Sequence, residues 1–582
     1  MFVDSCTYKA NGKTYTRHLL RESFREDGRV RHRTLANLSS ASDEEIQAIK
    51  LALKNKHRLE QLGNVDRDID VKQGISVGAV ITLWQVAKRI GLVDALGSSQ
   101  DGRQALWQVF ARVIDQGSRL SAVRLATSHA ACDVLGLDAF NEDHLYRNLD
   151  WLAENQARIE DALFRHRYAK QKPELYLYDV TSSYFEGVCN ELAAFGYNRD
   201  GKRGKMQVVY GMLCDEEGAP VSISAFTGNT TDTKTFGPQI HKVAQRFGGA
   251  AVTFVGDRGM IKGPQIEQLQ AESIHEFHYI TAITKAQIET LLKLGVVQME
   301  LFDEQVAEVT TEDGVRFVLR RNPIRADEMA ETRRSKYAAL EQFVKEQNTY
   351  LGEHTRASVA VAQRKVEAKR KTLRLPAVDV TVAVASADVE PTNEVQSDNK
   401  VSDANADHAD AVGRTILLSK QEQAWQESAR LDGCYCLKTD LLEEAASKEV
   451  IHERYKDLIQ VEWAFRTSKT GHLEARPVYV RLDTRTRGHL FVVMLGYLLI
   501  QELSRCWRCL DITVEEGLDE LKTLCTTQVV VKGKSLLHNV PQPRESVAQL
   551  LLAAQVELPR KLASRDVRVS TRKKLAEERK SA

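Results

Sequence analysis

The sequence predicts a mixed α/β protein. Three observations carry this: strand-like runs alternate with helical periods through the middle of the chain, two of those runs end on an aspartate, and the preceding hundred residues keep a helical period throughout. The runs are LYLYD (175–179) and AVTFVGD (251–257). The first continues as VTSSYF, so an apolar, β-forming half meets a hydroxyl-rich half at Asp179. That aspartate either caps a turn or joins other acids around a metal ion, and one carboxylate cannot decide between them.

The chain has 582 residues, 43% hydrophobic and 28% charged, with a formal net charge of +1. Such a composition buries a large core and excludes wholesale disorder. A balanced charge points to no partner by itself. No apolar leader opens the sequence, and the longest apolar run, Leu490–Ile500, is too short to span a bilayer. Nine scattered cysteines fit free thiols in a reducing cytosol. Cys506 and Cys509 have zinc-like spacing, yet no second CxxC exists. Cys434 and Cys436 could complete four ligands, and buried thiols are the default reading.

Residues 1–70 read as a basic N-terminal arm with a β-hairpin and a helix near 43–56. Arg17, Arg21, Arg25, Arg29, Arg31 and Arg33 could touch phosphates or form a solvated face. Residues 71–170 read as a helical domain, with a helix starting at an Asp150 cap. Residues 171–284 read as the first part of a sheet core. LYLYDV, MQVVYGMLC and VSISAFTG are followed by a helix at about 235–247, the strand ending on Asp257, a helix at 264–271 and the strand FHYITAI. Strand–helix–strand units imply parallel pairing with right-handed crossovers.

Residues 285–450 read as an insertion. It holds strands such as VRFVLRRNP, a long polar helix at about 327–371 and a linker at 376–411 without aromatic residues, expected to be disordered. Residues 451–510 return to the core. They include the helix ERYKDLIQVEWAFRTSK (453–469), the strand RPVYVR and a buried helix at 486–503. Residues 511–582 form a C-terminal region with a basic tail.

Glu462 adjoins the apolar stripe Leu458, Val461 and Phe465, and Tyr455 and Lys469 lie seven residues to either side of it. A phenol, a carboxylate and an ammonium along one ridge suit a metal flanked by phosphates, or a surface salt-bridge helix.

With these residues assembled, the chain resembles the DDE transposases of bacterial insertion sequences. The match is to the IS-four-like group, whose third acidic region reads Tyr, two residues, Arg, three residues, Glu, six residues, Lys. That spacing falls on Tyr455, Leu458, Glu462 and Lys469; leucine replaces the arginine, so the DNA contact implied for it has no residue here. LYDVTSSYFEG is similar to the first-acid region and FVGDRGM to the second. LDGCYCLKTD, RPVYVR and RGHLFVVMLGYLL are similar to the flanks of the third, so the resemblance runs over residues 75–510.

The resemblance implies an RNase H-like core, interrupted by the insertion and preceded by the helical domain. It implies Asp179, Asp257 and Glu462 as catalytic residues and as ligands of Mg²⁺ or Mn²⁺, two ions per site. Tyr455, Lys469, Arg466, Arg258 and Lys205 are the candidate DNA contacts. The implied activity is cleavage at insertion-sequence ends followed by strand transfer. The implied partners are terminal inverted repeats and target DNA, bound by a homodimer in the bacterial cytoplasm at the nucleoid, with no membrane role. Two readings compete with it: an RNase H-like nuclease that cuts without joining, and a silent, transposase-derived DNA-binding protein. A small-molecule hydrolase would lack the histidine ligands such sites commonly use.

Overall fold

The computed structural model describes residues 1–57, 69–249, 251–271, 276–383, 414–470, 473–476, 478–531, 534–563, 565, 567 and 569–571. Along the chain run β1 (Phe2–Ala10), β2 (Lys13–Glu26), β3 (Arg29–Asn37), α1 (Asp43–Lys54) and β4 (Ile69–Ser76). Short helices between Gly78 and Leu135 lead to α2 (Glu142–Arg167). The core strands follow: β5 (Leu175–Tyr184), β6 (Gln207–Cys214), β7 (Pro220–Phe226), then α3 (Asp232–Lys242), β8 (Ala251–Gly256), α4 (Gly263–Ala271) and β9 (Glu276–Ala282). Next come β10 (Ala307–Thr310), β11 (Arg316–Arg321), α5 (Pro323–Glu353), α6 (Val359–Leu373), β12 (Val378–Val382), β13 (Ile416–Lys420) and β14 (Cys434–Thr439). The last elements are α7 (Lys448–Lys456), α8 (Leu458–Lys469), α9 (Asp483–Cys506), β15 (Cys525–Val531) and β16 (Lys534–Asn539), with two short helices about the final strands.

The chain forms two compact units. One comprises residues 1–87, 117–142 and 502–582; the other comprises 88–116 and 143–501. The first contains the antiparallel sheet β1-β2-β3 and the sheet β16-β15-β4. Ile69–Ser76 had been expected to begin the helical domain. It is instead a strand, because its partner Cys525–Val531 lies more than 400 residues away, beyond the reach of any local pattern.

The second unit is built on an eight-stranded mixed sheet of order β10-β11-β14-β9-β8-β5-β6-β7. β5, β6 and β7 are antiparallel, whereas β5–β8 and β8–β9 are parallel. This β7-β6-β5-β8-β9 order is the RNase H-like arrangement, with α3 and α4 making the crossovers that parallel neighbours require. β10, β11 and β14 extend the sheet from β9 onward, so part of the insertion is continuous with the core.

Tyr176, Tyr178, Val180, Phe236, Phe247, Phe254, Phe277 and Tyr279 form the core beneath one face. Burying each such side chain contributes about 1.5–3 kcal/mol. Gly211 pairs with Val180 and leaves room for the Tyr178 ring, whose hydroxyl would lie 2.2 Å from a Cβ there.

Other local expectations are corrected. Asp150 lies inside α2, because Leu145, Leu149, Leu152 and Ile159 keep one buried stripe through it. The long polar helix is two helices, broken after Glu353. Val378–Val382, expected within the disordered linker, pairs with Ile416–Lys420; residues 384–411 of that linker lie outside the described residues, as does most of the basic tail. RPVYVR makes one isolated bridge, Phe185 to Val478, in place of a strand. Helix α9 is long and apolar enough to cross a membrane, but two thirds of its most apolar window is buried in the protein, as for a core helix. All nine cysteines are free thiols, and Cys434 and Cys436 pack in the core with Phe317 and Leu319.

Candidate active site

Strand β5 was expected to stop at Asp179. It continues to Tyr184, because Val180 to Tyr184 keep pairing with β6 and Ser182 and Ser183 are buried. Asp179 therefore projects from mid-strand, opposite Met212. Alternation places Tyr178 and Val180 toward the aromatic core and Asp179 and Thr181 on the other face. Helix α8 packs on β5. Its Phe465 ring meets Tyr210 edge-on at 5.7 Å, and Tyr210 pairs with Thr181.

The parallel ladder sets the second acid. Tyr178 pairs with Gly256, so Asp179 and Asp257 follow at the same height on adjacent strands, which lie about 4.8 Å apart. Each aspartate accepts the amide of its successor: Val180 N to Asp179 Oδ1 at 2.7 Å, and Arg258 N to Asp257 Oδ1 at 2.8 Å. β8 ends at Gly256, leaving Asp257 exposed at the strand's C-terminal end.

Glu462 comes from α8 and is exposed. Burial pushes the Asp179 carboxyl up to about 7; the Val180 amide opposes this, the Asp257 charge adds to it, Arg199 opposes it and Glu462 adds to it. Asp257 and Glu462 thus both act by charge on Asp179, partly offset by Arg199. An all-carboxylate donor set is the kind that hard divalent cations prefer. Among the described residues, no three His, Cys, Asp or Glu side chains already form a metal cage.

The flanking residues divide. The Tyr455 hydroxyl donates to Asp257 Oδ1 at 3.2 Å, and burial followed by the Asp257 charge raises its pKa well above the ordinary phenol range. Arg258 and Arg466 are exposed and, among the described residues, have no carboxylate within ion-pair distance. Lys205 is paired with Glu186 at 2.7 Å. Lys469 faces the protein interior. Its ammonium donates to Thr181 Oγ1 at 2.5 Å and to Asp200 Oδ1 at 3.0 Å. His489 is buried near the Ala475 carbonyl.

Sequence reasoning missed Arg199, Asp200, Asp232 and Arg476. Arg199 pairs with Asp232 at the start of α3 and acts on Asp179 by its charge. Asp200 gathers Lys469 and Arg476. Of the segment NRDGKRGK the sequence offers only Lys205 as a DNA contact, and no periodicity marks a loop carboxylate as buried.

Residues 170–499, more than half of the chain, match the family model described as the transposase DDE domain. Residues 4–67 match the IS1634 family transposase, N-terminal domain. No curated protein matches the chain. Among solved structures, a similar one is the cryo-EM structure of a piggyBac transposase synaptic complex with hairpin DNA. It is 9% identical, with a TM-score of 0.34, over 83% of this chain and 82% of that one. The fold described above rests on strand order and not on that likeness.

Proposed function

The chain belongs to the transposase DDE-domain family, and from that premise we propose that it cleaves DNA at insertion-sequence ends and joins the freed 3′-hydroxyls to target DNA. The observation that carries the proposal is the register match of Asp179 with Asp257, together with the Glu462 charge that acts on Asp179. Asp179 on β5, Asp257 just past β8 and Glu462 on α8 are the acids this reading assigns to one site.

Asp179, Asp257 and Glu462 would together hold two Mg²⁺ or Mn²⁺ ions. When bound, such ions would supply activation of a water or 3′-hydroxyl and stabilisation of the leaving oxygen. The chain's own groups do the rest. Tyr455 orients the Asp257 carboxylate through its hydroxyl. Exposed Arg258 and Arg466 would take phosphate oxygens, and Lys205 would exchange Glu186 for a phosphate. No covalent protein nucleophile is required. Cutting two ends in concert calls for two copies of the chain on the DNA, so a homodimer in the DNA complex belongs to the proposal.

The test uses duplexes carrying candidate element ends, a 3′-hydroxyl oligonucleotide and Mg²⁺. Wild type should give cut and joined products. Glu462→Gln should lose cleavage by at least about a thousandfold while retaining end binding. Cutting without joined products would favour the nuclease reading, and binding without cutting the silent one. Undiminished cleavage by Glu462→Gln would remove that residue from the site.

A further inference from the structure

Asp200 lies in the loop between β5 and β6, with its side chain 1% exposed. Its Oδ1 accepts Lys469 Nζ at 3.0 Å and Arg476 Nη1 at 2.6 Å, and its Oδ2 accepts the Tyr184 amide at 3.0 Å. Arg476 Nε also donates to the Lys469 carbonyl at 3.3 Å. Lys469 in turn reaches Thr181 on β5. The last residue of α8 is therefore tied to the strand that carries Asp179 by its side chain, and its carbonyl is held by Arg476.

Two of the three Lys469 donors are spent inside the protein, and its side chain is 10% exposed. Swinging the ammonium out to a phosphate would break a buried ion pair and leave Asp200 to Arg476 alone, which is costly. The geometry shows what the ion pair does where it stands. Glu462 lies seven residues before Lys469, two turns or about 10 Å along the same helix face. Asp179 lies two residues before Thr181, about 7 Å along the same strand face. Clamping Lys469 to Thr181 and Asp200 therefore fixes where Glu462 stands relative to Asp179.

We infer that Asp200 is a positioning residue: with Lys469 as its counter-ion, it braces α8 against β5 and sets the separation of Glu462 from Asp179. The inference builds on the proposed transposase reading, but one readout needs no activity. Lys469 is then a structural cation and not a phosphate grip.

Asp200→Asn keeps the shape and removes the charge. Mn²⁺ titration of the DNA-free protein by calorimetry should show at least fivefold weaker binding for Asp200→Asn and for Lys469→Met than for wild type. Thr181→Val, which removes only one hydrogen bond and should fold, should weaken Mn²⁺ by about twofold to threefold. Affinity for a random 40-base-pair duplex without divalent ions should stay within threefold in all three, with an unchanged slope of log affinity against log salt.

Unchanged Mn²⁺ affinity in Thr181→Val and Asp200→Asn would overturn the inference. So would a Lys469→Met salt slope reduced by about 0.9, the signature of a lost phosphate contact. Tighter duplex binding by Asp200→Asn, from a freed lysine, would also overturn it. If wild type binds Mn²⁺ in the expected pattern yet cuts no DNA, the transposase reading fails and the brace stands. If it binds no Mn²⁺, the brace has no site to set and fails.

Discussion

The Tyr455 hydroxyl donates to the Asp257 Oδ1 at 3.2 Å, joining helix α7 to the residue that follows strand β8. The phenol keeps its proton, because burial and the neighbouring carboxylate both oppose ionisation. It therefore acts as a donor to Asp257. Its bond occupies one lone pair of Asp257 Oδ1, which also accepts the Arg258 amide; among the described residues no hydrogen bond reaches Oδ2.

Removing that donor tests its share in orienting the carboxylate. Tyr455→Phe should slow cleavage by about tenfold, the scale of one lost hydrogen bond to a charged group, and leave duplex affinity within threefold. Single-turnover cleavage rates and fluorescence anisotropy measure the two. An unchanged rate would mean that Asp257 needs no help from the phenol.

The raised Asp179 carboxyl makes stability depend on pH. Its folded pKa, about 7, stands above the ordinary value of 3.8, chiefly through burial. The folded state therefore binds the proton more tightly than the unfolded chain. The stability this contributes is fully present below about 3.8 and is lost as pH rises through about 7. Asp179→Asn, which cannot ionise, should raise the metal-free unfolding midpoint at pH 8 by at least about 2 °C and raise it by less at pH 5. The apparent affinity for Mg²⁺ should fall as pH drops through 7, because the proton and the cation compete for the same oxygens. Scanning calorimetry at the two pH values decides it; a larger gain at pH 5 than at pH 8 would contradict the assigned cause.

The N-terminal sheet carries arginines on both faces, and Arg21, on the same face as Arg17 and Arg25 by alternation, pairs with Asp4. Arg31 pairs with Glu26 and Arg33 with Glu22 on one face, where His18 is also buried. The other face presents Lys13, Arg17 and Arg25. Among the described residues these have no carboxylate within ion-pair distance, and they line up with the stacked Tyr8 and Tyr15 rings, 5.8 Å apart. From Lys13 to Arg25 the strand runs about 40 Å, a little over one turn of duplex. Changing Lys13, Arg17 and Arg25 together to Gln should reduce the salt slope of duplex binding by about 3, whereas Arg31→Gln with Arg33→Gln should leave it alone. Equal effects of the two sets would show that the face does not matter.

Much of the fold could be read from local pattern. Alternating apolar runs mark β5 to β9 in order, and the helical period marks α3, α4, α8 and α9, because each of these elements buries apolar residues at its own period. The misreadings fall where a distant partner overrides local preference. β4 exists through β15, β5 outruns Asp179 through β6, and Asp150 is swallowed by a longer buried stripe.

The chain's order of residues by itself determined that two strands would carry Asp179 and Asp257 and that a helix would carry Glu462 between Tyr455 and Lys469. Those are short-range properties, set by side-chain period and spacing. Only the tertiary structure decided that the two aspartates stand at equal height, since the parallel register of β5 and β8 is fixed by packing across two crossovers. It alone decided that Lys469 turns inward to Asp200, 269 residues away along the chain. Burial of a carboxylate and its counter-ion depends on which segments fold over it, and no window of sequence contains that information.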